Sequence, residues 1–454
     1  MAEISWDPSL IARYNVNGPR YTSYPTALAL ASPFAGRRAI EALQTSTDTL
    51  SLYIHLPFCH ELCYYCGCNK IVTRHQSKAD RYLDALEQEM RLYKTVLKHR
   101  KVGHLHLGGG TPTFLTEAQL SRLMCMLKTH LGFVPNADYE TSIEIDPRSC
   151  SLNKLAHLKH LGFNRVSYGI QDFDEQVQIA INRVQDFDMV ATLIQRSREL
   201  GFASINLDVI YGLPQQQAES FQASLNKVVA LNPDRISLFS YAHLPTRFAA
   251  QRKIKNHTLP APELKLKLLH MGIKTFTQAG YQFIGMDHFA RPSDDLAVAQ
   301  QTGKLQRNFQ GYTTHGSDAL LGLGNSSISQ IDGVIWQNEK DLKHYYSALE
   351  QNQLPISKGV ELFEDDKIRA HLIAELICHF KLDIPSFERR WALDFYTYFA
   401  DCMGKLDHFI ADGLVEMDEQ EIRVTDAGRL WVRSICSAFD AYLATGQNAY
   451  SKVV

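Results

Sequence analysis

The run Phe58-Cys59-His60-Glu61-Leu62-Cys63-Tyr64-Tyr65-Cys66-Gly67-Cys68 gathers four cysteines, in a chain of 454 residues that holds 9 cysteines in all. The spacing C-x3-C-x2-C delivers three thiolates from one short loop. A cubane iron–sulfur cluster takes four thiolates when fully ligated by protein. Three leave one iron open, and an open iron is what reductive cleavage of S-adenosylmethionine requires. Tyr65, just before the third cysteine, fits the same pattern. Cys59, Cys63 and Cys66 are therefore the candidate ligands of a [4Fe-4S] cluster. Zinc is the rival, with Cys68 as fourth ligand of a closed tetrahedral site. Structural zinc sites usually present two separated C-x2-C pairs, whereas here all four thiols crowd together. A disulfide framework does not suit a long chain whose other cysteines, Cys125, Cys150, Cys378, Cys402 and Cys436, are scattered. Those five are expected to be small buried hydrophobes.

Outward from the loop, the sequence alternates. A strand-like run over 50–56 leads into it, and a helix is predicted over about 78–97 with Tyr82, Leu86, Met90, Tyr93 and Leu97 on one face. Strands then read at 104–107, 142–145, 165–170, 204–210 and 235–239, each followed by a helix, the last over 262–279. Six strand–helix units imply a parallel sheet with right-handed crossovers. Six rather than eight predict an α/β fold built as an open, partial (β/α)6 barrel. Such sheets carry their sites at the carboxyl ends of the strands. The cysteine loop ends the first strand, Gly108-Gly-Gly-Thr-Pro-Thr113 the second, Glu144 the third, Gln171 the fourth and Asp208 to Gly212 the fifth. All of them fall on one face.

Three domains are expected. Residues 1–49 read as an irregular segment, dense in turn formers and aromatics at Gly18-Pro-Arg-Tyr-Thr-Ser-Tyr-Pro-Thr26. Residues 50–360 form the barrel, and 361–454 a mainly helical, winged-helix-like domain with helices over 367–380 and 391–413 and a hairpin after Gly413. The hairpin's Glu416, Asp418, Glu419 and Glu421 argue against phosphate contact, so a packing or lid role is preferred to DNA binding. The chain is 45% hydrophobic and 21% charged with a net charge of −2. That gives no bulk electrostatic case for nucleic acid or membrane. The first residues lack the basic and apolar regions of a signal peptide, and no apolar run is long enough to span a bilayer. The expected location is the cytoplasm, where an oxygen-sensitive cluster is also best kept.

The cysteine motif and the Gly-rich second-strand loop resemble the radical S-adenosylmethionine (SAM) superfamily. The likeness goes further at Cys66-Gly-Cys68-Asn-Lys, Ser142-Ile-Glu-Ile-Asp-Pro, Gly169-Ile-Gln-Asp-Phe, Tyr211-Gly-Leu-Pro, Gly285-Met-Asp-His-Phe-Ala-Arg-Pro and Asn308-Phe-Gln-Gly-Tyr-Thr-Thr. With these, nearly the whole chain resembles the family of bacterial oxygen-independent coproporphyrinogen III oxidases. The resemblance implies oxidative decarboxylation of two propionates of coproporphyrinogen III to vinyls, giving protoporphyrinogen IX in anaerobic haem biosynthesis. It implies consumption of SAM with release of methionine and 5′-deoxyadenosine, a second SAM molecule in the site, a one-electron donor such as flavodoxin or ferredoxin, and a monomer.

It also implies roles. Gly109, Gly110 and Thr111 contact the methionine end of SAM, glycine allowing close backbone approach; an ordinary tight turn is the plain alternative. Tyr53 and Tyr65 lie against the cofactor, or are core aromatics. Glu144, an acid on an apolar strand, needs a partner: the ribose hydroxyls, or a barrel Lys or Arg. Gln171, Arg183, Asp208, Ala242 and Ile328 match further SAM positions, Arg183 suiting a carboxylate through its planar guanidinium. Cys68 is either the family's extra, non-ligating cysteine or a buried thiol. Cations should line a pocket for a substrate with four carboxylates, Arg20 first, then Lys70, Arg291 and Arg307. Tyr21 and Tyr24 would cover the tetrapyrrole face. His55, His60 and His288 are cluster-side or substrate-side groups, or plain structural histidines. Two rivals share the superfamily: a haem-binding chaperone, whose relatives usually lack Cys68, and a radical haem-degrading enzyme.

Overall fold

Strand β1 (Leu50–Leu56) is buried almost end to end, as strands of a parallel sheet covered on both faces are. In this computed structural model, which describes residues 6–314 and 319–443, it begins a parallel ladder. β2 (Val102–Gly109), β3 (Thr141–Ile145), β4 (Arg165–Gln171), β5 (Ser204–Tyr211) and β6 (Arg235–Ser240) follow in chain order, each hydrogen-bonded to the one before. Helices α1 (Ser77–Lys94), α2 (Glu117–Leu131), α3 (Leu152–His160), α4 (Phe187–Glu199), α5 (Ala218–Ala230) and α6 (Pro262–Gln278) follow the strands in turn. This is the expected partial (β/α)6 barrel. Tyr82, Leu86, Met90 and Tyr93 make the buried face of α1. Leu97 is buried too, just past that helix's end. A reciprocal capping box fixes the start of α2: Gln119 N–H donates to Thr116 Oγ1 and Thr116 N–H to Gln119 Oε1.

The chain forms two compact units. The barrel unit comprises Leu30–Gly272 and His315–Glu361. Its sheet continues beyond β1 in a way the strand–helix alternation did not announce. β7 (Ala319–Leu323) pairs parallel to β1, and β8 (Ile328–Ile331), β9 (Val334–Asn338) and β10 (Ile356–Glu361) extend it antiparallel. Positive φ at Ser326, Asp332 and Gly333 makes the tight turns between them.

The second unit comprises Met1–Ala29, Ile273–Thr314 and Leu362–Val454. Its helix α7 (Glu364–His379) buries Leu372, Ile373, Leu376 and Ile377. The single helix expected over 391–413 is broken into short ones: Phe395–Tyr398, Ala400–Met403 and Asp407–Ala411, after Ile384–Trp391. Ala392 at φ 51 ends Ile384–Trp391, and the Asp394 carboxylate caps Phe395–Tyr398 by accepting from Thr397 N–H. Lys381–Asp383, Glu421–Val424 and Val415–Met417 form the small antiparallel sheet of the winged-helix-like domain. The N-terminal stretch is pinned here: Arg433 donates to the carbonyls of Pro19 (2.8 Å) and Gly18, and Tyr21 Oη to Asp440 (3.0 Å). Among the five scattered cysteines, Cys125 departs from expectation and is exposed. It lies on the outward face of α2, whose inward face is Leu120, Leu123, Met124 and Leu127. No helix among the described residues is long and apolar enough to cross a membrane.

Candidate active site at the carboxyl ends of the strands

The cysteine loop is stitched at both ends. Phe58–Cys59 pairs in parallel with Ile71–Val72, and Thr73 N–H donates to Cys59 O at 2.9 Å. Cys59 and Cys63 are buried, Cys66 is half-buried and Cys68 exposed. Cys59 Sγ accepts the Thr111 hydroxyl at 3.4 Å. Cys63 Sγ accepts from two guanidiniums, Arg183 Nη1 at 3.5 Å and Arg148 Nη2 at 3.6 Å. Lys70 Nζ donates to Cys66 O at 2.9 Å. Burial pushes the Cys59 thiol up to about 11. The hydrogen bond with Cys68 and, against burial, the Lys70 charge hold the Cys66 thiol below its usual value.

Among the described residues no three His, Cys, Asp or Glu side chains converge closely enough for one metal ion. A cubane places each thiolate on a different iron, so it does not ask the sulfurs to converge on one point. Three thiols from one fastened loop, ringed by an arginine pair, a lysine and a hydroxyl, fit an anionic cluster of that kind.

The glycines ending β2 are explained by their neighbours. A Cβ at Gly109, where φ is +114°, would lie 2.6 Å from the His55 ring, and one at Gly110 2.7 Å from the Pro57 carbonyl. The loop thus presses against the end of β1, and Gly109 N–H donates to Glu144 Oε2 at 3.1 Å. Among the described residues Glu144 pairs with no Lys or Arg; its other partner is His106, Nε2 to Oε1 at 3.3 Å. Burial opposes its charge, but the His106 hydrogen bond and Gly109 N–H hold the carboxyl below the usual range. Its side chain is 44% exposed, so an ionised acceptor faces open space. Tyr53 stacks on His106 at 5.9 Å. His55 Nε2 lies 3.0 Å from Asn69 O, which only accepts, so Nε2 carries the proton and Nδ1 accepts from Tyr53 Oη at 3.1 Å. Burial lowers the His55 pKa, keeping the ring neutral.

Arg183, 7% exposed, meets a carboxylate of the protein: Nη1 reaches Asp146 Oδ2 at 2.9 Å and Nη2 the Gly169 carbonyl at 2.7 Å. Its Nε is buried without a hydrogen-bond partner among the described residues. Gln171 stands at φ 66 beside a register shift between β4 and β5. Non-glycine strain of this kind persists only where the surroundings enforce it. Asp172 does so, accepting from Ser224 Oγ (2.5 Å) and Gln216 Nε2 (2.6 Å). Asp208 accepts from Asn206 Nδ2 (2.8 Å) and Ser167 Oγ (3.2 Å). Burial first, then the Glu144 charge, push its carboxyl up to about 6. Two acids are thus driven apart in pKa, the pattern of a site that uses both states.

Tyr65 packs against the apolar cluster of Val177, Ile181, Ile210 and Leu213. Gln251 links it to Ala242: Nε2 donates to the carbonyls of Tyr65 (2.9 Å) and Ala242 (3.2 Å). Ile328 opens β8, its carbonyl where a Cβ on Gly322 of β7 would collide. The His60 ring lies tilted against Phe114, centroids 4.5 Å apart. Arg20 belongs to the second unit, where Nη1 pairs with Asp287 Oδ2 at 2.7 Å. Arg20, His288, Arg307 and Arg433 hold the Asp287 carboxyl below its usual range against burial. Arg291 and Arg307 lie over Tyr281 and Tyr312. Asp146, Arg148, His106 and Gln251 were not expected. Their contacts cross between strands, and only the Asp-Pro step before Arg148 marks them locally.

The radical SAM superfamily model matches residues 53–228, and the HemN C-terminal domain model residues 362–431. The oxygen-independent coproporphyrinogen III oxidase of Escherichia coli K12 is 53% identical over 442 residues, covering 97% of this chain and 96% of the relative. That of Pseudomonas aeruginosa is 46% identical and covers 99% of each. The solved structure of coproporphyrinogen III oxidase (HemN) from E. coli, described as a radical SAM enzyme, superposes with a TM-score of 0.93 at 52% identity, over 97% of this chain and all of that one. Identity of this order along the whole length, together with the matching superfamily model and the superposing fold, places the chain in the oxygen-independent coproporphyrinogen III oxidase family of radical SAM enzymes.

Proposed function

We propose that this chain converts two propionate side chains of coproporphyrinogen III to vinyls, yielding protoporphyrinogen IX without oxygen. The observation that carries this is the three-thiol loop and its arginine pair at the carboxyl ends of a barrel belonging to that family. Cys59, Cys63 and Cys66 hold the [4Fe-4S] cluster, which with SAM supplies the one-electron chemistry that removes hydrogen from a propionate. Gly109, Gly110 and Thr111 receive the methionine end of SAM. The open Glu144 carboxylate takes the ribose hydroxyls. Tyr53, Tyr65, Gln171, Arg183, Asp208, Ala242 and Ile328 line the remainder, including the place of a second SAM. Arg20, fixed at the backbone by the Arg433 tether to Gly18 and Pro19, offers its guanidinium to a propionate. Its pairing with Asp287 orients it.

The same reading makes the protein a cytoplasmic monomer fed by a flavodoxin- or ferredoxin-type donor. Cys68 favours it over a haem-binding chaperone. The deciding assay is anaerobic: reconstituted protein, SAM, a strong reductant and coproporphyrinogen III, followed by mass spectrometry. Protoporphyrin after oxidation, with matching methionine and 5′-deoxyadenosine, is expected. Stoichiometric haem binding without any vinyl product would overturn the reading in favour of the chaperone.

A further inference from the structure

Cys63 differs from the other two candidate ligands in carrying two guanidiniums on its sulfur. Arg148 is held there from three sides. Nη2 is 2.7 Å from Asp146 Oδ2, Nε 3.0 Å from Asp146 Oδ1, and Nη1 2.9 Å from Glu61 Oε2 within the cysteine loop itself. Asp146 takes Arg183 on the same Oδ2. The set is largely withdrawn from water: Arg148 is 18% exposed and Asp146 11%. Two guanidiniums and the Asp146 carboxylate therefore sit beside one thiolate, where screening is weak, while the second carboxylate, Glu61, is 51% exposed and more strongly screened.

Local folding does not require these charges. Asp146 caps the short turn Pro147–Ser149 by accepting from Arg148 N–H at 3.1 Å, and an asparagine caps as well. We infer that Arg148 and Asp146 form an opposed charge pair that sets the reduction potential of the cluster bound at Cys63, Arg148 raising it and Asp146 lowering it. This rests on the reading that Cys59, Cys63 and Cys66 hold the cluster. One electron converts the oxidised cluster to a form one charge more negative. Hydrogen bonds to ligand sulfur and nearby charge are what move such potentials. A guanidinium on the sulfur favours the reduced form; a carboxylate disfavours it. Arg148 and Asp146 act through Cys63 and are positioning residues.

The test is a redox titration of the reconstituted holoenzyme, followed by electron paramagnetic resonance, with dithionite as reductant and no SAM. Arg148→Gln should move the midpoint to lower potential and Asp146→Asn to higher, at unchanged iron content. The double variant should fall between them. If Arg148→Gln cannot keep its cluster, Asp146→Asn decides alone, because it preserves shape and cap: an upward shift supports the inference, and an unmoved or lowered midpoint overturns it. A wild-type protein with no reducible cluster would instead defeat the underlying cluster assignment.

Discussion

Tyr345 Oη donates to Glu89 Oε2 at 2.6 Å, and this fully buried carboxylate also takes Asn338 Nδ2 (2.7 Å) and Gly324 N–H (2.9 Å). Three donors join α1 to the turn before β8, to the end of β9 and to the helix Leu342–Glu350. Burial outweighs them and pushes the carboxyl up to about 7. Raised above the unfolded value near 4.5, the native group holds its proton longer than the unfolded one. Its contribution is complete below pH 4.5 and lost as pH rises through 7, by about 3 kcal/mol. Denaturant unfolding between pH 5 and 8 should show this slope, and Glu89→Gln should flatten it. An equally steep slope in the variant would place the titration elsewhere.

Cys63→Ser should lower bound iron and abolish 5′-deoxyadenosine formation. The serine cannot replace a thiolate ligand, and the two guanidiniums would face a hydroxyl. Normal cofactor cleavage by this variant would exclude Cys63 as ligand.

Asp208 and Glu144 should be visible together in the pH dependence of SAM binding. With Asp208 at about 6, affinity should change through that pH, and Asp208→Asn should erase the step. Glu144 is one of the causes of the raised value. Glu144→Gln should therefore move the step to lower pH, besides weakening binding. A step that stays at pH 6 in Glu144→Gln would mean the two acids are not coupled. Equilibrium dialysis with labelled SAM reads both.

The sequence period was enough to find six strands and their helices, because apolar runs bounded by turns and amphipathic helices are local signals. The cysteine loop was equally legible, its chemistry contained in its spacing. The charge pair beside Cys63 was not, since Arg148, held by Asp146, meets that sulfur only after β3 is laid into the sheet. Gln251 likewise serves Tyr65, far away in the chain, and nothing around it signals the contact. The helix expected over 391–413 failed in part for a local reason: Asp394 is an N-cap signal that an apolar period overrides, whereas Ala392, a strong helix former that ends its helix at φ 51, gives no stop signal in the sequence.

Arg20→Ala should leave 5′-deoxyadenosine formation intact while losing productive decarboxylation. One charged hydrogen bond is worth about 1.5–3 kcal/mol, so kcat/KM for coproporphyrinogen III should fall roughly 10- to 100-fold. Unchanged kinetics would remove Arg20 from the substrate pocket.

His55 has both ring nitrogens committed, one to Tyr53 and one to the Asn69 carbonyl. Asn69 is the residue that follows Cys68, and Thr73 fastens the chain again four residues on. The loop is thus fastened at Cys59 and Asn69 by neutral hydrogen bonds that involve no sulfur, beside the charged contacts of Glu61, Cys63 and Cys66, so its ends are anchored independently of what the thiols ligate.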